Sequence, residues 1–225
     1  MTIGFRIMKR RRKVQAALVE RFHALPVANV SDCMSRMAAA GPALRPLHRN
    51  GKLAGVALTV KTRPGDNLLL HKAIDLAEPG DVIVVDGGGD LTTALMGEIM
   101  LYLAVARGVA GFVINGAVRD LDEIRRINLP LYAAGITHRG PYKDGPGEIN
   151  VPIAISGMVI EPGDLIIGDA DGVLAVPAAD AEAVLAAAEM KQSAEEKEIA
   201  AIHAGTIDRR WVDAALVAKG CKIEA

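Results

Sequence analysis

The chain has 225 residues and a mass of 23.6 kDa, enough for one well-cored domain and short for two. Hydrophobic residues make up 51% and charged residues 24%, the balance of a folded globular protein rather than a disordered chain. A net charge of −1 and 3% aromatic residues leave no electrostatic or stacking case for nucleic acid, and no apolar run is long enough to span a bilayer.

Lys9, Arg10, Arg11, Arg12 and Lys13 open the chain like a signal peptide, but Gln15, Glu20, Arg21 and His23 break the apolar core that would have to follow. They read instead as the solvated basic face of a first helix, from Arg12 to about Ala24, where Val14, Ala17, Leu18 and Phe22 recur at helical spacing. Pro26 ends it. A second helix is expected over Ala28 to Ala40, with Gly41-Pro42 as its stop and Ser31 and Asp32 on a polar outer face. The two cysteines, Cys33 and Cys221, have no C-x-x-C spacing and suit a reducing cytoplasm better than a disulfide framework.

Leu53 to Thr62 reads as a β-branched strand, Leu68 to Ala77 as a short helix, and Val82 to Val85 as a strand buried on both faces. Pro-Gly-Asp stands at 64–66, 79–81 and 162–164, which looks like a repeated way of launching strands. Asp86-Gly87-Gly88-Gly89-Asp90 fails the G-x-G-x-x-G test at Thr92 and reads as a tight loop that admits a close neighbour. Gly97 to Arg107 is helical, with Leu101, Ala104 and Val105 on one face and Gly108 as its stop. Gly111 to Asn115 is a further buried strand, Asp122 to Ile127 a helix and Leu131 to Ala134 a strand. His138 to Ile149 is a polar loop, long enough to suggest function. Short strands fill Val151 to Val176, with Asp169 to Gly172 as a turn, and helices cover Ala178 to about His203 and Asp208 to Lys219.

Zinc, α/β-hydrolase and Schiff-base chemistries lack support, since H-E-x-x-H, G-x-S-x-G and a lysine within an apolar strand are all missing. What remains is Arg119-Asp120, after a glycine turn that closes a buried strand, facing Gly97-Glu98 at a helix start. The first amides of that helix, on Ile99 and Met100, are free to take an anion. Arginine can fork onto a carboxylate or keto oxygen in fixed geometry. Two carboxylates and a guanidinium suit a divalent cation holding a small keto acid.

Glu98, Arg119-Asp120 twenty residues further on, and Glu123 after two more residues form a spacing that resembles the RraA-like family. That family includes the class II 4-hydroxy-4-methyl-2-oxoglutarate / 4-carboxy-4-hydroxy-2-oxoadipate aldolases and the regulator of ribonuclease E. The likeness extends through Ala54-Gly55, Thr59-Val60, Pro79 to Val82, Gly108-x-x-Gly111, Gly116 to Asp120, Gly147 to Pro152, Pro162 to Asp164 and Asp171 to Val173. The resemblance implies an α/β fold, a swivelling β/β/α sandwich in one domain over 1–225. N-terminal helices would occupy 1–41, the core 52–177 and C-terminal helices 178–225. It also implies a cytoplasmic homotrimer, or a hexamer of two such trimers, with sites between subunits.

By the same resemblance, Mg²⁺ or Mn²⁺ is ligated directly by Asp120, Arg119 contacts the pyruvyl oxygen and a water, and the amides of Ile99 and Met100 take the pyruvate carboxylate beside Gly97. Glu98 stands where the aldolases have aspartate and would hold a metal-bound water across one extra methylene. Glu195 or Glu198 of a neighbouring subunit would complete the outer shell. The implied activity is cleavage of 4-hydroxy-2-keto acids to pyruvate, accompanied by oxaloacetate decarboxylation. His138, Arg139 and Lys143 are candidates for the far carboxylates. The alternatives are a non-catalytic partner of a ribonuclease E-like protein and a methyltransferase, the latter opposed by the missing glycine motif.

Overall fold

The computed structural model describes residues 3–223. In chain order the elements are β1 (Phe5–Ile7), α1 (Ala16–Ala24), α2 (Val27–Cys33), β2 (Arg45–Pro46), β3 (Leu53–Thr62), α3 (Leu68–Leu76), β4 (Asp81–Asp86), β5 (Ala94–Met96), α4 (Glu98–Ala106), β6 (Gly111–Val118), α5 (Leu121–Ile127), β7 (Leu131–Ile136), β8 (Gly147–Ile149), β9 (Ile153–Ile155), β10 (Met158–Ile160), β11 (Leu165–Gly168), β12 (Val173–Val176), α6 (Ala181–His203) and α7 (Arg210–Ala218). The chain divides into two compact units, 1–188 and 189–225, the division falling within α6.

A ten-stranded mixed sheet runs in the order β1-β8-β3-β4-β6-β7-β2, with β11, β12 and β5 joined off that path. Its centre, β3-β4-β6-β7, is parallel throughout, as crossovers through α3, α4 and α5 require. β3 serves two partners along its length. Its first residues pair with β11 and its last with β8, both antiparallel. Alternation along the central strands sorts side chains to two faces. Ile83 and Val85 meet α3 and α4 in one core, while Val82 and Val84 meet the β9-β10 hairpin in another. The result is layered hairpin, sheet and helices, the α/β sandwich expected. A third core joins α1, α2, β11, β12 and the start of α6.

Four local expectations are corrected. Residues 8–13 are not helical; most of the basic run is exposed as expected, but three of its members are held in ion pairs. Arg10 pairs with Asp81 at 2.6 Å, Lys13 with Glu78 at 2.8 Å and Arg12 with Glu161. The second helix ends at Cys33 instead of Ala40. Ser35 and Arg36 take left-handed backbone, Arg36 N–H returns to Ser31 O, and the extended chain beyond pairs Ala40 N–H with Val173 O. Tertiary pairing thus overrides an apolar spacing that would have continued the helix. Pro64-Gly65-Asp66 launches α3 rather than a strand. Finally, Val105 is exposed, and Met100 takes its expected place beside Leu101 and Ala104. Four strands, β1, β2, β5 and β8, were not foreseen, and β8 takes the last three residues of the stretch read as a polar loop; two or three residues are too few for alternation to register.

Candidate active site

The site begins where β6 ends. Arg119 N–H donates to Met96 O at 2.9 Å, tying the end of β6 to the junction of β5 and α4. Asp120 then adopts left-handed backbone, φ +61°. That turn sends its side chain back to α4, where Oδ2 accepts the Glu98 amide at 2.8 Å. Arg119 Nε lies 3.7 Å from the same oxygen. The approach is possible because residue 97 is glycine: a Cβ there would overlap Asp120 Oδ2 and sit 3.0 Å from Arg119 Cγ and Nε. Gly97 is extended, so the requirement is space and not backbone freedom.

Leu101 N–H is the first amide of α4 to find its helical acceptor, Gly97 O, at 3.1 Å. The Glu98 amide is taken by Asp120, so the amides of Ile99 and Met100 remain at the helix start with no acceptor among the described residues. They open on a cavity of about 270 Å³ lined also by Arg119, Asp120, Glu98, Asn67, His71 and Lys143. A second cavity, about 230 Å³, holds the other side of Arg119 and Asp120 with His138 and Thr137. The structure therefore brings Gly97, Glu98, Ile99, Met100, Arg119 and Asp120 together. Of the polar-loop candidates, Lys143 reaches the first cavity and His138 the second. Arg139 lines neither, and its carbonyl instead accepts the Ala94 amide at 2.8 Å. Glu123 is held by Arg126 and Tyr102 on the α4–α5 surface. Glu195 and Glu198 lie on α6 in the 189–225 unit, Glu195 paired with Lys191 at 2.9 Å.

Sequence reasoning missed Asn67 and His71. They stand one helical turn apart at the start of α3, which follows the carboxyl end of β3. β3, β4 and β6 are parallel, so their carboxyl ends share one edge of the sheet. A polar pair opening the helix after β3 was the available signal. Asn67 lines the cavity; its Nδ2 donates to Leu95 O at 2.9 Å and to Met100 Sδ at 3.4 Å, while its buried Oδ1 has no partner among the described residues. Burial pushes the His71 imidazole below its ordinary pKa and the Lys143 ammonium adds to this, Asp75 opposing both. His71 is therefore neutral at pH 7.

As a cation site the donor set is hard and sparse. Among the described residues no three His, Cys, Asp or Glu side chains converge. Asp120 and Glu98 offer oxygen, which fits Mg²⁺ or Mn²⁺, ions that keep several waters and need only one or two carboxylates. It does not fit zinc or a calcium cage.

A family model described as RraA-like, Aldolase/RraA, matches residues 27–175. The chain belongs to the RraA-like family. A protein of Halalkalibacterium halodurans with the provisional name 4-hydroxy-4-methyl-2-oxoglutarate aldolase is 42% identical over 79% of this chain and 85% of its own length. A 4-hydroxy-4-methyl-2-oxoglutarate aldolase of Thermus thermophilus is 41% identical over 50% of this chain and 68% of its own. The solved structure of the RNA-processing inhibitor RraA from Thermus thermophilus superposes with a TM-score of 0.63 at 34% identity, covering 68% of this chain and 92% of that one. The RraA-like match includes every cavity residue named above, whereas Glu195 and Glu198 lie beyond it. Among the described residues no helix is long and apolar enough to cross a membrane.

Proposed function

We propose that this protein is a divalent-cation-dependent lyase that cleaves 4-hydroxy-4-methyl-2-oxoglutarate or a similar 4-hydroxy-2-keto diacid to pyruvate, and that it also decarboxylates oxaloacetate. The observation that carries this reading is the meeting of two unengaged helix-start amides, a guanidinium and a carboxylate on one cavity. The names of the aldolase relatives support it.

In this reading the amides of Ile99 and Met100 take the carboxylate beside the keto group, helped by the α4 dipole. Arg119 donates to the keto oxygen and fixes its direction, a preorganised contribution of about 2.7–4 kcal/mol where one such donor is removed. Asp120 would hold Mg²⁺ or Mn²⁺ directly and Glu98 through water, with Glu195 or Glu198 of a neighbouring copy completing the shell. The cation supplies Lewis-acid relief of the negative charge that collects on the keto and carboxylate oxygens. A water held by Glu98 near Arg119 accepts the 4-hydroxyl proton. The C3–C4 bond then breaks as C4 becomes a carbonyl, its electron pair passes to the three-carbon fragment, and return of that proton to C3 gives pyruvate. With oxaloacetate the departing fragment is CO₂. Lys143 and neutral His71 line the first cavity and would meet the substrate's far end there; His138 stands on the second.

The test is a panel of 4-hydroxy-2-keto acids and oxaloacetate coupled to pyruvate detection, with Mg²⁺ or with chelator. Pyruvate release that chelator abolishes is expected. A second reading has its own support. Ile99, Tyr102, Leu103 and Val105 expose an apolar face on α4, and the superposed Thermus structure is titled an RNA-processing inhibitor. No pyruvate from any substrate would favour that protein-binding role.

A further inference from the structure

Two segments distant in sequence, 63–68 and 142–145, are zipped together beside the cavity. Tyr142 N–H donates to Gly65 O at 2.8 Å, and Asn67 N–H donates to Tyr142 O at 3.0 Å. Asp66 lies between them, fully buried. Its Oδ1 accepts the Leu68 amide at 3.0 Å; its Oδ2 accepts the amides of Asp144 at 2.7 Å and Gly145 at 2.9 Å, with Arg63 Nη2 at 3.1 Å. The bond to Leu68 alone would cap α3. The other three reach out to the polar loop and to Arg63. A buried carboxylate is costly unless fully engaged, and this one is engaged by groups on both walls of the cavity. One wall carries Asn67 and His71, the other Pro141 and Lys143.

We propose that Asp66 is a positioning residue for the substrate's far end: its carboxylate clamps the start of α3 to the 142–145 segment and so sets the separation of His71 from Lys143, and with it the length of diacid the cavity accepts. This rests on the lyase reading. The bonds of Asp66 go to Leu68, Asp144, Gly145 and Arg63, while Asn67 holds the start of α3 to the pyruvate end through its own bonds to Leu95 O and Met100 Sδ.

Asp66→Asn keeps the side chain's volume but, in either orientation of the amide, turns one N–H toward a backbone donor. The Asp144 and Gly145 amides should then exchange hydrogen at least about tenfold faster, and KM for the diacid should rise about tenfold with kcat and inhibition by pyruvate little changed. Unchanged exchange at 144–145 would overturn the proposal. So would KM and pyruvate inhibition rising together, the mark of general loosening. Should Asp66→Asn fail to fold, Arg63→Gln, on a half-exposed side chain, gives the same pattern at about threefold, and no change there overturns it. Absence of lyase turnover in the native protein would overturn the functional reading alone, because the exchange measurement decides the clamp without catalysis.

Discussion

Two residues decide whether the site can exist. Gly97 leaves the gap into which Asp120 folds back, and Asp120 supplies the left-handed turn that brings it there. Gly97→Ala meets side chains and no backbone, the carboxylate of Asp120 and the stem of Arg119, so the fold should survive with a loss of about 1 kcal/mol for the bond to the Glu98 amide. Pyruvate release should nonetheless fall at least about a hundredfold, because Arg119 and Asp120 leave their places. Equal activity with an unchanged melting midpoint would refute this account of the glycine. His71 gives a second test at this scale. Its depressed pKa means the fold favours the neutral ring; that stability is present above about pH 6.5 and is lost as pH falls through the depressed value. Lys143→Gln removes one cause and leaves burial. The imidazole midpoint followed by NMR should rise toward the ordinary value without reaching it, and the native loss of stability in acid should shrink. A midpoint that stays put would show that Lys143 does not face this ring.

Elements were legible where their pattern was long. β3 was read to its ends from a ten-residue stretch rich in β-branched and apolar residues, and the buried run of β4 from its continuous apolar character. The three Pro-Gly-Asp turns were legible as turns and illegible as exits. Each closes with the aspartate N–H on the carbonyl three residues back, Arg63, Glu78 or Glu161, and each glycine has positive φ. Asp81 and Asp164 each put one carboxylate oxygen on the amide of Glu78 or Glu161, within the turn, and the other on Arg10 or the Ala178 amide. Asp66 instead reaches Leu68 and the distant loop, and the chain enters a helix. The three turn residues do not distinguish these outcomes; the residues after them do, and the helix over Leu68 to Leu76 was read from those. The surroundings of the glycines differ as well. A Cβ on Gly80 meets nothing, so Gly80→Ala should cost only the left-handed penalty of about 1–2 kcal/mol. A Cβ on Gly163 overlaps Arg12 O and lies 3.0 Å from Lys13 Cα, so Gly163→Ala should cost at least about 3 kcal/mol. Melting midpoints in that order are expected; equal midpoints would contradict the close packing of the 12–13 backbone on this turn.

Across the whole molecule, the parallel order of β3, β4 and β6 gathers the start of α3, the start of α4 and the end of β6 at one edge of the sheet. The cluster of Glu98, Arg119 and Asp120 was readable because its parts carry charge and glycine at close sequence spacing. Asn67, His71 and the clamp at Asp66 were not, since nothing links residues 66 and 144 until β3 and β8 pair. The central claim is that Asp120, held against the start of α4, anchors the cation and with it the keto acid. It is tested most directly by following pyruvate release from oxaloacetate, in excess Mg²⁺, by the native chain and by Asp120→Ala, each corrected for spontaneous decarboxylation. The account predicts steady release by the native protein and none above background by the variant at any Mg²⁺ concentration. Undiminished turnover in Asp120→Ala would remove that carboxylate from the chemistry and contradict the account.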